Sequence, residues 1–282
     1  MMSGANSFLH APADQVTAQM EQEFFSSIMV RNRTWKTTSH GRFREVNEWL
    51  MHEVCAGRVR LANILDVGVS SGISTLELYN DICSGGYETR IVGTDLFIHA
   101  YLVRVGARCH ALVDDTGFPL QFDVFGRGLA PWVTQRDQHN GMFLLRKLVN
   151  LAFTHRARAI LRRKSDARVE QVQLVTPRLA GITDISLQTD DVTRYNPDFY
   201  AKFGFIRAAN ILNRGYFDEP ALIAIIDNIK RYLDGGGASL LVIRTHEDGR
   251  NHGTLFKLVD NRHFEISMRF GAGSEIEDLV LP

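Results

Sequence analysis

The chain has 282 residues, of which 45% are hydrophobic and 23% charged, a composition that allows one α/β core with an elaboration or two small domains. Its formal net charge of +0 gives no global attraction to nucleic acid, which is not an expected partner. No apolar run has the length of a transmembrane segment, no signal-peptide pattern is visible, and the three cysteines fit neither a disulfide framework nor a zinc site; together these features predict a cytoplasmic protein with buried thiols and no metal.

The first half of the chain changes its hydrophobic period near residue 63. Apolar residues recur at helical spacing over 13–30 and 41–56, so residues 1–62 are predicted to form an N-terminal helical lead-in. "NILDVGV" (63–69) and "RIVGTDL" (90–96) are β-branched runs typical of buried parallel strands, and the helical "STLELYNDIC" lies between them. This pattern predicts a βαβ unit.

Three further strands are predicted in the second half. They are "DISLQTDD" (184–191), "FGFIRAAN" (203–210) and "ASLLVIRT" (238–245), with a helix over "EPALIAIIDNIKRYL" before the last of them. "FEISMRFG" and "EIEDLVLP" are expected to pair as an antiparallel C-terminal hairpin. The fold class is therefore α/β, with a doubly wound seven-stranded sheet formed by residues 63–96 and 184–282.

Residues 97–183 separate the second and third strands by more than a crossover requires, and they are predicted to form an inserted cap or substrate subdomain. Within it, residues 142–164 carry seven Lys or Arg and no acid. One helical face is predicted to be apolar, with Leu145, Leu148, Val149, Ala152 and Ala159. Such a helix suits peripheral contact with an anionic surface or an acidic substrate, and the alternative is a lid helix whose basic side faces water.

The glycine-containing turn in "ILDVGVSSGIST" (64–75) identifies the expected ligand site. A phosphate-binding loop needs a Lys followed by Ser or Thr, which is absent, and the dinucleotide pattern wants glycine where Gly68, Ser70 and Ile73 stand. Asp66, at the tip of the strand, would repel a pyrophosphate and attract a cation. The turn therefore favours a positively charged ligand with a nucleoside part.

The motif Asp66-x-Gly68-x-Ser70-x-Gly72 resembles the first motif of class I S-adenosylmethionine-dependent methyltransferases. The resemblance covers about 63–96 and 184–282, and it implies a Rossmann-like sheet and S-adenosyl-L-methionine as cofactor. It implies an acid at the second strand end for the ribose hydroxyls, and one at the third for the adenine edge, where Asp191 is slightly preferred to Asp190. The implied cofactor-binding residues are Asp66, Gly68, Ser70, Gly72, Asp95, Leu96, Asp190, Asp191 and Asn210.

The activity expected from this resemblance is methyl transfer to an O or N nucleophile of a small or lipid-like molecule. His246 is the candidate base, because it follows the fifth strand and histidine is the side-chain type that can change its charge near neutral pH. Tyr216 is the second catalytic candidate. The candidate substrate-binding residues are Arg207, Arg214, Arg244 and His252. Alternatives are a protein carboxylate methyltransferase, an NAD-linked oxidoreductase and a catalytically silent nucleoside-binding module.

Overall fold

A computed structural model describes residues 2–36, 39–132, 142–163 and 166–281, without the side chains of 142–145. Lys164, at the end of the predicted basic stretch, lies outside the described residues. The α-helices of the described part are α1 Ala5–Leu9, α2 Ala18–Phe25, α3 Arg44–Cys55, α4 Ile73–Ser84, α5 Met142–Leu161, α6 Glu219–Tyr232 and α7 Glu277–Val280.

The strands form two separate sheets. In chain order they are β1 Asn63–Val67, β2 Arg90–Asp95, β3 His99–Gly106, β4 Cys109–Val113, β5 Pro119–Val124, β6 Arg127–Leu129, β7 Val169–Gln173, β8 Ile185–Thr189, β9 Phe205–Ala209, β10 Ser239–Thr245, β11 Asn251–Val259 and β12 His263–Phe270. The seven-stranded sheet has the order β12-β11-β10-β9-β1-β2-β8, and the five-stranded sheet has the order β6-β5-β4-β3-β7.

The chain divides into two compact units, each with one of these sheets. The parallel-sheet unit comprises Gly41–Leu96 and Gly181–Pro282, and the antiparallel-sheet unit comprises Met1–His40 and Phe97–Ala180. The sequence predicts a single N-terminal lead-in over 1–62 and an insert that begins at residue 97. In the structure, residues 1–40 group with the insert and α3 groups with the parallel sheet.

In the parallel-sheet unit, β8, β2, β1, β9 and β10 are parallel, and β11 and β12 are antiparallel at one edge. Successive residues of a strand point to opposite faces of the sheet, and both sets are apolar here, so helices cover both faces. Ile64 and Phe205 pack with the apolar residues of α3 and α4, whereas Leu65 and Ile206 pack with those of α6. The predicted doubly wound seven-stranded sheet is confirmed.

The antiparallel C-terminal edge is confirmed with one correction: the predicted strand "FEISMRFG" is β12, but it pairs with β11 and not with "EIEDLVLP". Its strands are β11 and β12, which are joined through Asp260 and Asn261, both with positive φ (51° and 57°). Residues Glu277–Val280 form the short helix α7 instead of a strand, and Ile276 and Val280 pack into the core beside α6. The alternation of Glu275, Ile276 and Glu277 predicts a strand, but Ile276 and Val280 lie one helical turn apart and are buried together.

In the antiparallel-sheet unit, β4 and β5 form a hairpin, and α5 packs on β3 and β4. The face that α5 buries is not the predicted one. Its buried and half-buried apolar residues are Val149, Phe153, Ala157, Ile160 and Leu161. Leu148, Ala152 and Ala159 are exposed, and the side chain of Leu145 lies outside the described part.

Two of the three cysteines correct the prediction of buried thiols. Cys55 and Cys83 are exposed near the ends of α3 and α4, and Cys109 is half-buried. Among the described residues, no helix combines the length and apolar character needed to cross a membrane.

Gly253 provides a test of the edge register. It pairs with Ile243 across β10 and β11, and a Cβ built on it would lie 2.6 Å from the backbone oxygen of Val242. We expect Gly253→Ala to lower the free energy of unfolding by about 1–3 kcal/mol, because the strand backbone has to move to make room. In the control Gly204→Ala, the new Cβ meets its nearest atom at 3.6 Å, so little change is expected. Equal urea midpoints for the two variants would contradict this register.

Candidate functional site

The carboxyl ends of the parallel strands define the candidate site of the parallel-sheet unit. From β1 the chain proceeds to β2 and β8 on one side of the sheet, and then returns to β9 and β10 on the other side. The order of the strands therefore reverses between β1 and β9. In open α/β sheets, ligands bind at such a switch point, beyond the carboxyl ends of the strands.

The turn after β1 is tightly wound, and the N–H groups of its first three residues are already hydrogen-bonded within the protein. Gly68, Ser70 and Gly72 have φ values of 77°, 53° and 74°. The N–H groups of Gly68 and Val69 donate to the Thr94 carbonyl at 2.8 and 3.0 Å, and Ser70 N–H donates to Asp95 Oδ2 at 2.8 Å. The turn is therefore tied to the end of β2.

Beneath this turn, Asp66 and Arg207 form a buried ion pair across β1 and β9, where they are register partners. Arg207 Nε donates to Asp66 Oδ1 at 2.8 Å and Nη2 donates to Oδ2 at 2.6 Å, while Thr75 Oγ1 donates to Oδ2 at 2.6 Å. Both charged residues are 1% exposed. The two had been predicted for different ligands, a cofactor and a substrate, yet they bind each other.

This pair corrects two sequence predictions. The charge of Asp66 is compensated by a guanidinium within the protein, so it does not act as an isolated attractor for a cationic ligand. Arg207 is too deeply buried for the predicted role of a substrate-binding residue on a loop. Its guanidinium carbon lies 5.9 Å from the centroid of the Phe43 ring.

Two polar atoms at this turn lack partners. Ser71 Oγ and Arg207 Nη1 are buried and have no hydrogen-bond partner among the described residues. Buried polar groups are nearly always hydrogen-bonded, so such atoms commonly mark a place where water or a ligand completes the structure. Ser71 and Thr75 were not singled out from the sequence, since a serine or threonine at a helix start is ordinarily explained by capping.

The ends of β2 and β8 supply carboxylates. Asp95 is half-buried and Leu96 is 49% exposed. Asp190 accepts a hydrogen bond from Asn196 Nδ2 at 2.9 Å, and burial raises the pKa of Asp190 in spite of that bond. Asp191 accepts from the N–H and hydroxyl of Thr193 and pairs with Arg194 at 3.4 Å. The Asp191 carboxylate thus bonds to residues of its own loop, Thr193 and Arg194. The Asp190 carboxylate has one such hydrogen bond, from Asn196, and is the better placed of the two to bind a ligand.

The ends of β9 and β10 are joined by Asn210, which has a φ of 58°. Its Oδ1 accepts from Thr245 N–H at 2.6 Å, and its Nδ2 donates to Thr245 Oγ1 at 3.2 Å. The next loop is organised by the buried Asn213, whose Oδ1 accepts from the N–H groups of Gly215 and Tyr216. Tyr216 itself is 58% exposed.

The other predicted substrate residues have partners within the unit. Arg214 pairs with Asp278 at 2.6 Å, and Arg244 pairs with Glu275. His252 Nδ1 accepts from Ala272 N–H at 2.8 Å. The exposed His246 ring lies near that of His252, with 4.5 Å between the centroids. Roles for these residues in catalysis or substrate binding stay predictions.

The described residues contain no group of three or more His, Cys, Asp or Glu side chains arranged to hold a metal ion.

Comparisons with known proteins add likenesses at low identity. No family model matches the chain, and neither does any curated protein. Similar solved structures include the N-methyltransferase NodS from Bradyrhizobium japonicum in complex with S-adenosyl-l-homocysteine, at 13% identity and a TM-score of 0.35, covering 81% of this chain and 74% of that one. The citrinin polyketide synthase CMeT domain has 12% identity and a TM-score of 0.35, and the match covers 74% of this chain and 36% of that one. The [4+2]-cyclase SpnF has 15% identity and a TM-score of 0.32, and the match covers 77% of this chain and 52% of that one.

The chain thus spans about a third of the CMeT structure and half of the cyclase structure. TM-scores this low do not support an argument about the activity of this chain.

The ion pair makes a testable contribution to stability. We expect Arg207→Met to lower the free energy of unfolding by about 3–5 kcal/mol, because it leaves the Asp66 carboxylate buried without its counter-ion. The double variant Asp66→Leu/Arg207→Met removes both charges and should recover most of that loss. Urea unfolding measures all of these values.

The control is Arg250→Met, since Arg250 is exposed and lies 3.8 Å from Asp248. Its effect should be within about 0.5 kcal/mol. A double variant as unstable as the single one would show that the cost of Arg207→Met does not come from a stranded charge.

Proposed function

We propose that the chain is an S-adenosylmethionine-dependent methyltransferase whose cofactor binds at the carboxyl ends of β1, β2 and β8. The observation that carries the proposal is the hydrogen bonding of the turn between β1 and α4. Its first three N–H groups donate hydrogen bonds to the Thr94 carbonyl and the Asp95 carboxylate. Carboxylates, and not lysines, stand at the ends of the neighbouring strands β2 and β8.

This arrangement argues against a pyrophosphate at the turn. A dinucleotide or nucleoside triphosphate is bound by turn N–H groups that point at its phosphates. Here the N–H groups of Gly68, Val69 and Ser70 already donate hydrogen bonds within the protein, and the negatively charged Asp95 lies beside the turn. An NAD-linked oxidoreductase is therefore the weaker reading, whereas a cationic sulfonium with a nucleoside suits this surface.

The residues at the site fit such a cofactor. Asp95 would accept hydrogen bonds from the ribose hydroxyls, because a carboxylate has acceptor capacity for more than one donor. Asp190 would meet the adenine edge, and its raised pKa reflects a partly dry environment. Leu96 would provide apolar contact, and the cofactor would offer a hydrogen-bond partner to the Ser71 hydroxyl, which has none among the described residues. Asp66, Gly68, Gly72 and Asn210 shape the site from beneath and beside it.

Bound S-adenosyl-L-methionine supplies an activated methyl group, so the protein needs mainly to orient the acceptor and exclude water. His246 would take a proton from the acceptor through its imidazole, and the exposed Tyr216 would orient it. Hydrogen bonding fixes the neighbouring His252, since its Nδ1 accepts from Ala272 N–H and its proton is then on Nε2.

The acceptor proposed is an O or N nucleophile of a small or lipid-like molecule, with residues 97–183 as the candidate acceptor-recognition part. The basic stretch 142–164 would add peripheral contact with an anionic surface. A protein carboxylate acceptor and a silent nucleoside-binding module are the remaining alternatives; a module would bind the cofactor without turnover.

Replacement of Asp95 tests the cofactor site. We expect Asp95→Ala to weaken S-adenosyl-L-methionine binding by about 2–3 kcal/mol, roughly thirty- to hundredfold, because the ribose hydroxyls lose a charged acceptor. Isothermal titration calorimetry with S-adenosyl-L-methionine, S-adenosylhomocysteine and NADH measures this effect. Circular dichroism checks the fold, since Asp95 also accepts from Ser70 N–H.

Two further variants separate the roles of Asp95. Asp95→Asn keeps an oxygen for Ser70 N–H and removes the charge, so intermediate binding is expected. Asp227→Ala removes an exposed acid from α6 and should bind like the wild type. Preference of the wild type for NADH, or unchanged affinity in folded Asp95→Ala, would refute the proposed cofactor site.

A further inference from the structure

The outward face of α5 combines exposed leucines with basic side chains. Leu148 and Leu151 are 65% and 71% exposed, while the opposite side of the helix packs on β3 and β4. At 100° per residue, the two leucines lie on one face with Ala152, His155 and Arg162. The helix thus has apolar residues on two sides, and the side with Leu148 and Leu151 is not covered by any of the residues that the structure describes.

Basic residues lie on and beside this face: Arg162 is on it, and Lys147 and Arg156 flank its two edges. Lys147, Arg156 and Arg162 are exposed and form no ion pair with a carboxylate among the described residues. Arg158 differs, because its Nε donates to the Gly117 carbonyl at 3.0 Å. Residues 142–163 include no Asp or Glu, so no acidic side chain of this segment offsets these positive charges.

We propose that this face of α5 docks on an anionic lipid bilayer, with Leu148 and Leu151 entering the headgroup boundary and Lys147, Arg156 and Arg162 meeting lipid phosphates. Interfacial helices bind membranes by this combination of apolar area and basic charge. The proposal deepens the surface contact named above for residues 142–164. It rests on α5 and not on the cofactor site, so the two can fail separately.

The spacing of the charges favours a surface over a small ligand. Lys147 and Arg162 are fifteen residues apart on the helix, roughly 22 Å at 1.5 Å per residue, so no single phosphate reaches both. A bilayer offers many phosphates in a plane and a fluid apolar layer below them. The exposed leucines need that layer, because an acidic peptide or soluble polyanion would satisfy the cations and leave the leucines in water.

Vesicle flotation with the full chain tests the apolar contribution. Wild-type protein should bind vesicles of phosphatidylcholine with about 30% phosphatidylglycerol, and should bind pure phosphatidylcholine far less. Leu148→Ser/Leu151→Ser should weaken binding on the order of tenfold. The matched control Tyr200→Ser/Ile223→Ser removes two exposed apolar side chains from the other unit and should bind as the wild type does.

A second set of variants tests the charges. Lys147→Gln/Arg156→Gln/Arg162→Gln should lose about fivefold in vesicle binding per charge removed, with the difference from wild type shrinking between about 0.05 M and 0.5 M salt. The control Lys202→Gln/Arg250→Gln/Arg262→Gln makes the same change in net charge elsewhere on the surface.

Cofactor titration of every variant separates this proposal from the proposed function, since S-adenosyl-L-methionine affinity should not change. Absence of wild-type binding to anionic vesicles overturns the proposal. Binding that depends on the charges but not on the leucines also overturns it, and would indicate an acidic soluble partner, for which polyglutamate competition in the same assay is the probe. Loss in the α5 variants alone supports bilayer docking.

Discussion

The ion pair between Asp66 and Arg207 is the interaction on which the candidate site depends. It joins β1 to β9 at the place where the strand order reverses, and Thr75 extends it to the first turn of α4. Opening the sheet here would separate two charges in a nearly dry interior, which is strongly unfavourable. The pair therefore fixes the floor beneath the turn from Gly68 to Gly72.

Because the pair neutralises its own charges, the electrostatic character of the site comes from the groups around it. The N–H groups of Gly68, Val69 and Ser70 are satisfied by Thr94 and Asp95, so these three donors do not point at an anion. The acids at the ends of β2 and β8 remain, and their charge favours a ligand with hydroxyl donors and a positive centre. The sequence led to the same class of ligand from the charge of Asp66, which the structure shows to be compensated.

The sequence predicted the parallel strands well because each is a short β-branched run with no competing period. Arg207 was harder to interpret, although the signal was present: a lone cation inside the apolar run "FIRAA" needs a buried counter-ion, and Asp66 is the acid of the adjoining strand. The hairpin was misplaced because "EIEDLVLP" alternates over its first residues. The sequence signal for the hairpin between β11 and β12 is the pair Asp260-Asn261, because Asp and Asn tolerate the positive φ of tight turns.

The helix α5 shows why periodicity alone could not choose the buried face. Its apolar residues populate two sides, so Leu148 with Ala152 and Val149 with Phe153 are equally good helical stripes. Contact with β3 and β4 selects the second stripe, because Ala157 is small enough for a close approach and Ile160 continues the row. That choice leaves the first stripe among cations that have no described carboxylate to balance them. The two leucines and the basic residues thus form one surface, since the packing of one face determines what the other exposes.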